Sequence, residues 1–344
     1  MSFPKLSFEE TLLEKVVLKE SCVGCGACVV VCPFGCLEYL EQKPKLVKDC
    51  EVCGICPRVC PRYEWSLPDL ERLVFGRERK PKEDFGIYQS LVLAQTTDKD
   101  ITSRCQDGGV VTTLVNFAFT NGIIDGALLS GLETDKPLYP VPVLATTPEE
   151  VLKCAGTRYT YSPNLLAIQE AFKQKKQGLA FVGTPCQIHA IRKMQAAKLK
   201  RHVGRIKFAI GLMCTESFTF EGLMEKQIQR AMGIDLRDIK KMNIKGKVVV
   251  TTNSGEARTI SIPEAKKYTR KGCLPCTDFS AELADISAGG LGLSGWTLTI
   301  IRTEKGKELF EAIERAGLIE TKPIEEGKNA LNLLTRLSKK KRGI

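Results

Sequence analysis

No apolar run in this chain approaches the ~18 residues that a bilayer-spanning helix needs, so no membrane span is expected. The opening Met-Ser-Phe-Pro-Lys-Leu-Ser-Phe-Glu-Glu lacks the apolar centre of a secretory signal, and a cytoplasmic location is the expectation. Neither Ser-His-Asp spacing nor a Walker loop appears, and the G-x-G-x-x-G dinucleotide fingerprint is missing too. No zinc-finger or helix-turn-helix pattern accompanies the positive charge, which makes nucleic acid a weak candidate partner. What the chain has in quantity is cysteine, 15 in 344 residues. Without an export signal, metal or redox use explains them better than disulfides do.

The net charge of +11 is uneven. Residues 1–75 hold 9 Lys/Arg against 11 Asp/Glu, so the excess lies further on. Arg336, Lys339, Lys340, Lys341 and Arg342 crowd the last nine residues, read as a solvated, frayed end. The remaining excess suits an anionic small molecule.

The cysteine spacing is specific. Cys22-x-x-Cys25-x-x-Cys28-x-x-x-Cys32-Pro33 recurs as Cys50-x-x-Cys53-x-x-Cys56-x-x-x-Cys60-Pro61, in register throughout. This is the run of a bacterial two-cluster ferredoxin, in which the fourth thiolate crosses to the other cluster. Cys22, Cys25, Cys28 and Cys60 are expected on one 4Fe-4S cluster, and Cys50, Cys53, Cys56 and Cys32 on the other. Zinc competes poorly, because tetrahedral sites take paired thiols. Cys36 falls outside the pattern and reads as a spare buried thiol. A charged, proline-marked linker over 66–86 is expected to separate this unit, 1–65, from a larger one.

The larger unit, 87–300, alternates strand-like and helix-like segments, the signature of an α/β domain. Strands are expected near Tyr88–Thr96, Gly126–Ser130, Val141–Ala145, Leu179–Gly183 and Phe208–Gly211, with a hairpin over Lys247–Thr252 and Ala257–Ile262. A helix opens after Asp107-Gly108-Gly109. That turn reads equally as a phosphate seat or as an N-cap supplied by Asp107. Helices are expected after Thr147-Pro148, from Ser162-Pro163 to Gly178, after Thr184-Pro185-Cys186, and after the turn Met213-Cys214-Thr215-Glu216. His189, three residues beyond Cys186 on the same helix face, reads as structural, and His202 as exposed. In the last part, 301–344, a helix over Glu304–Ala316 is followed by a polar loop and a short final helix.

Much of this is organised around one stretch, Lys266 to Gly292. Lys266, Lys267, Arg270 and Lys271 precede Cys273-x-x-Cys276, then come Asp278, Asp285 and a glycine-rich exit. A C-x-x-C pair by itself is open between zinc, a redox disulfide and half of an iron–sulfur site. Cys186 and Cys214 each end a strand-like run. With Cys273 and Cys276 they make either a four-thiol cage or ordinary buried thiols.

Five segments together resemble the family of coenzyme F420 hydrogenase/dehydrogenase beta subunits, archaeal flavoproteins. They are Gln106-Asp-Gly-Gly-Val-Val-Thr112, Ala155-Gly-Thr-Arg-Tyr159, Gly183-Thr-Pro-Cys-Gln187, Gly211-Leu-Met-Cys-Thr-Glu-Ser-Phe218 and Gly272-Cys-Leu-Pro-Cys-Thr-Asp-Phe-Ser-Ala-Glu-Leu-Ala-Asp-Ile-Ser287. With the two-cluster unit in front, the chain resembles the electron-input module of a complex I-like enzyme. The fold this implies is an α/β (α+β) flavoprotein domain preceded by a two-cluster ferredoxin-like domain. The resemblance further implies bound FAD, a third 4Fe-4S cluster on Cys186, Cys214, Cys273 and Cys276, and oxidation of reduced coenzyme F420. It places Asp107, Gly108, Gly109, Thr112, Gly156, Thr157, Arg158, Tyr159, Thr184 and Pro185 near FAD or substrate. Asp107 stands where serine is expected in many relatives. Coenzyme F420 carries a phosphate and a glutamate tail, for which Lys266, Lys267, Arg270 and Lys271 are the candidate seat, with Arg158, Lys245 and Lys247 beside them. Hydride transfer of this kind requires no obvious catalytic acid or base. The acceptor implied is a complex I-like membrane complex or a ferredoxin, with peripheral attachment to the inner membrane face through that partner. A hydrogenase, a sulfite reductase or a glutamate synthase would use the same half-reaction, and a flavin-free iron–sulfur carrier is the rival of another class.

Overall fold

The computed structural model describes residues 5–344. At the N-terminal end, the helix Glu9–Val17 buries Leu12 and Val16 against the cysteine loops. Each cysteine trio then enters one short helix, Ala27–Val31 and Ile55–Val59. The sequence offset therefore reappears as a repeat in space. Gly26 and Gly54 precede the two helices with φ of 79° and 67°, a backbone that glycine adopts without strain. Between the repeats lies a hairpin, β1 (Leu37–Leu40) and β2 (Lys43–Leu46).

The strands that follow are β3 (Ser90–Thr96), β4 (Gly126–Leu132), β5 (Pro140–Ala145), β6 (Leu179–Gly183), β7 (Ile206–Leu212), β8 (Ile239–Ile244), β9 (Lys247–Thr252), β10 (Ala257–Ser261), β11 (Ile286–Gly289), β12 (Thr297–Ile301) and β13 (Ile319–Pro323). Eight of them form one sheet in the order β13-β3-β12-β11-β7-β6-β4-β5. Its middle, β4, β6, β7 and β11, is parallel, and antiparallel strands flank it on both sides. β6 is buried along its whole length, as strands covered on both faces are. Because β6 and β7 run side by side, the turns after Gly183 and Leu212 open at the same end of the sheet. In open α/β sheets that end carries the ligand crevice. The small sheet β10-β9-β8 has its own core, built on Phe218, Phe220, Leu223, Val248 and Val250.

Several elements differ from the sequence expectation. The segment after Ser162-Pro163 is a tight turn at Asn164–Leu166 followed by the shorter helix Ala167–Lys173. The helix expected after the Met213-Cys214-Thr215-Glu216 turn is present and begins at Phe220. The segment 66–86 contains a helix, Leu67–Phe75, capped by the Ser66 side chain on the Asp69 N–H. The polar loop near the C-terminus is partly β13, an edge strand with only Ile319 buried, so its sequence carries almost no apolar signal. The basic tail is the end of a fifteen-residue helix, Lys328–Arg342, and not a frayed end. Ala330 and Leu334 bury against Leu93, Leu298 and Ile300. Lys339 pairs with Asp84 at 3.2 Å, and Arg342 with the buried Glu282. Glu282 also pairs with Arg79 at 2.5 Å.

The N-terminal unit shares a core with the large sheet. Val23, Ala27, Val30, Val59 and Leu70 pack in one cluster with Leu128, Leu165, Phe181 and Ile188.

Candidate functional site

The two short helices bring the ferredoxin-like thiols into two sets. Cys22, Cys25, Cys28 and Cys60 stand close enough for each to feel the others' charge. Cys32, Cys50, Cys53 and Cys56 line one small cavity together with Phe8 and Phe34. Cys36 borders it and is buried. Cys60 thus stands with the first trio and Cys32 with the second. Burial pushes the Cys60 thiol up to about 11 and the Cys56 thiol up to about 12, so both stay protonated until something cationic binds them. Backbone N–H groups already face sulfur: Gly24 to Cys22 Sγ, Phe8 to Cys50 Sγ and Arg62 to Cys60 Sγ, each at 3.4 Å. Such bonds favour thiolate and tune cluster potentials.

A third set forms at the open end of the parallel strands. Cys186 sits in the first turn of the helix Pro185–Ala196, beside the Thr184 hydroxyl at 3.2 Å and the Tyr161 hydroxyl at 3.8 Å. Cys214 follows β7, its N–H bonded to the Phe279 carbonyl. Cys273 and Cys276 arrive on the loop after the helix Ile262–Lys266, and Cys273 Sγ accepts from the Ser217 N–H at 3.4 Å. Cys186 and Cys214 each lie within electrostatic reach of both Cys273 and Cys276. Among the described residues no three His, Cys, Asp or Glu side chains close on a single metal ion. Thr184 and Pro185 serve this set by fixing the turn that presents Cys186; Gln187 completes it by accepting from the Thr184 N–H at 3.0 Å.

The Gly108-Gly109 turn lies on the other side of β11. Gly108 donates to Thr297 Oγ1 at 3.0 Å, and a Cβ there would come within 2.4 Å of the Ala94 carbonyl. The cap of the helix Val110–Thr120 is Gly109, with no side-chain hydrogen bond to the first turn, so Asp107 does not cap it. An eleven-residue helix thus starts without a side-chain cap, its dipole-positive N-terminus buried at Gly108, Gly109 and Val110, of the kind that seats a phosphate. Asp107 instead faces Gly290, where a Cβ would stand 2.1 Å from the carboxylate. Burial raises the Asp107 pKa, while Lys241 and Lys245 pull it down. Lys241 Nζ donates to the Gln106 carbonyl at 3.2 Å, which ties β8 to the turn. Thr112 is buried beneath it. Tyr159, its phenol pushed up by burial, is a near neighbour of Asp107. Arg158 donates to the Ala155 and Gly156 carbonyls at 3.3 and 3.2 Å, yet its buried Nε has no partner. Gly156 and Thr157 are exposed beside it.

The basic run does not join this turn. Lys266 pairs with Glu216 at 3.9 Å, Lys267 with Glu264 at 2.5 Å and Lys271 with Glu20 at 2.6 Å. Arg270 is buried and points away, its Nη1 donating to the Val23 carbonyl at 2.8 Å, which is a correction to its expected place in an exposed seat. The lysines that do reach the turn, Lys241 and Lys245, lie on the small sheet and its following turn. No sequence signal singles out Lys241, since nothing short of strand pairing brings residue 241 to residue 106. His202 is half-buried against Phe172, not exposed.

An α/β sheet with a thiol set at its open end and a ferredoxin-like unit joined to it defines an iron–sulfur protein by its donor chemistry. Residues 15–38 match the 4Fe-4S binding domain, 91–169 the N-terminal part of the coenzyme F420 hydrogenase/dehydrogenase beta subunit, and 176–327 its C-terminal part. The F subunit of the F(420)H(2) dehydrogenase of Methanosarcina mazei is 33% identical over 339 residues, covering 96% of this chain and 92% of that protein. The coenzyme F420 hydrogenase beta subunit of Methanosarcina barkeri is 41% identical over 263 residues, 74% of this chain and 89% of that one. A chain of the F420-reducing [NiFe] hydrogenase complex from Methanosarcina barkeri superposes with a TM-score of 0.73 at 38% identity, covering 77% of this chain and 92% of that one. The chain belongs to the family of coenzyme F420 hydrogenase/dehydrogenase beta subunits.

Proposed function

We propose that this chain oxidises reduced coenzyme F420 on bound FAD and passes the electrons singly through three 4Fe-4S clusters to a protein acceptor. FAD, when bound, would accept one hydride, two electrons with a proton, from a reduced deazaflavin and release the electrons one at a time, as iron–sulfur clusters require. The observation that carries this reading is the continuity of the site. Asp107 touches Gly290, Gly289 touches Met213, Cys214 follows Met213, and Cys25 lies within electrostatic reach of Cys186. The Gly108-Gly109 turn, the third thiol set and the first ferredoxin-like set are thus adjoining steps.

On this reading the uncapped helix N-terminus at Gly109 and the unmet Arg158 donor hold phosphate oxygens of FAD. Lys245 and Lys241 attract the anionic tail of coenzyme F420, since the ammonium groups of Lys266, Lys267 and Lys271 are already paired. Thr184 and Pro185 orient Cys186. A membrane dehydrogenase of the complex I type is one acceptor this reading admits and a sulfite reductase another, since the relatives of both kinds match this chain through both units, whereas the hydrogenase relative spans 74% of it.

The test is anaerobic mixing of the iron-, sulfide- and FAD-loaded chain with reduced coenzyme F420. Flavin bleaching followed by cluster reduction is the expected sequence, and a chain with only about eight irons and no flavin would overturn the proposal. Lys245→Ala should raise KM for the coenzyme about tenfold with kcat nearly unchanged, as loss of one charge-assisted contact does.

A further inference from the structure

Two arginines cross the seam between the ferredoxin-like unit and the large domain, in opposite directions. Arg62 follows Cys60 and donates from Nη2 to the Gly272 carbonyl at 3.0 Å and from Nη1 to the Pro275 carbonyl at 3.4 Å, on the loop that carries Cys273 and Cys276. Arg270 leaves that loop, donates to Val23 beside Cys22, and lies over the Tyr161 ring at 4.2 Å. Gly272 packs between them, so close that a Cβ would be 2.2 Å from the Cys22 carbonyl. Among the described residues neither arginine pairs with a carboxylate, and the buried Nε of Arg62 has no acceptor at all. A desolvated cation without a counter-charge is costly. The groups within reach that become anionic on ligation are the thiols: Cys276, Cys186 and Cys273 on one side of Arg62, Cys22 and Cys60 on the other.

We propose that Arg62 and Arg270 are positioning residues for electron transfer across this seam, an inference that rests on the iron–sulfur reading of both thiol sets. Their counter-charge is the net negative charge of the ligated clusters. Arg62 stabilises the reduced form of the third cluster and of the first ferredoxin cluster together, and Arg270 mainly that of the first. One electron leaves the third cluster, one arrives on the first, no proton moves, and the guanidinium charge between them lowers the cost of the electron on either side.

The test is a redox titration of the full, anaerobically loaded chain followed by the paramagnetic signals of the reduced clusters. Iron analysis of the wild-type protein reads the underlying assignment: about twelve irons supports three cubes, and about eight removes the third cluster and the proposal with it. At full iron content, R62Q is expected to make both clusters at least tenfold harder to reduce, a fall of about 59 mV for a one-electron couple, while R62K stays near wild type. R270Q is expected to shift the first ferredoxin cluster and leave the third nearly unmoved. Unchanged midpoints in R62Q, or an equal fall in R62K, would overturn the proposal, since only a role of shape is indifferent to charge. Should R62Q fail to hold iron, R270Q decides by the same reading: a fall confined to one cluster supports the proposal, and none overturns it.

Discussion

His189 shows how one side chain's surroundings set its behaviour. It lies edge-on to Trp65 with ring centroids 4.0 Å apart, and its buried Nε2 has no partner. Burial, with Lys193 and Arg62 adding repulsion, lowers its pKa to about 3. The folded chain therefore holds this imidazole neutral, whereas an unfolded chain protonates it below its ordinary 6.5. Protons then favour the unfolded state, and stability falls as pH drops below 6.5 towards 3. His189→Leu should remove up to ~1.4 kcal/mol per pH unit of that slope, checked by melting temperature against pH. An unaltered slope would place the acid sensitivity elsewhere. Lys193, one helical turn on, donates to the Cys60, Tyr63 and Glu64 carbonyls at 2.7, 2.5 and 2.9 Å. Lys193→Met leaves three acceptors unmet and should cost ~2–4 kcal/mol, read from denaturant midpoints. The sequence reads His189 as structural, which its packing on Trp65 bears out, but it reads Lys193 only as one lysine among many.

At the scale of elements, strand order does what spacing cannot. β6 and β7 are adjacent and parallel, so Cys186 and Cys214, 28 positions apart, emerge side by side. The C-terminal helix is the other case. Its sequence is so rich in lysine and arginine that it reads as solvated, yet Leu334 is fully buried and Arg342 reaches Glu282. Leu334→Ala should therefore cost ~2–5 kcal/mol. Lys340→Ala should change stability by less than ~0.5 kcal/mol, as an exposed substitution does. Equal, small effects on denaturant midpoints would return the tail to the status of a loose end.

Across the whole molecule, the ferredoxin-like unit and the sheet are not beads on a linker. Their apolar residues form one cluster, and the helix Leu67–Phe75 fills the stretch between them while Glu71 pairs with Arg79. Cooperative units coincide with shared cores, so calorimetry of the loaded chain should show one main transition. Two well-separated transitions would mean that the seam contributes little. The same packing brings the first thiol set beside the third.

The sequence alone marked out the first two thiol runs, because a ferredoxin run is local and its spacing can be read directly. It also determined most strand positions and the Thr147 and Thr184 helix starts, which depend on neighbouring residues only. Tertiary structure decided whatever depends on contacts between segments far apart in the chain. Lys241 against Gln106, Gly290 against Asp107, and Arg62 and Arg270 across the seam are products of strand order and core packing, which leave no periodic trace in the chain.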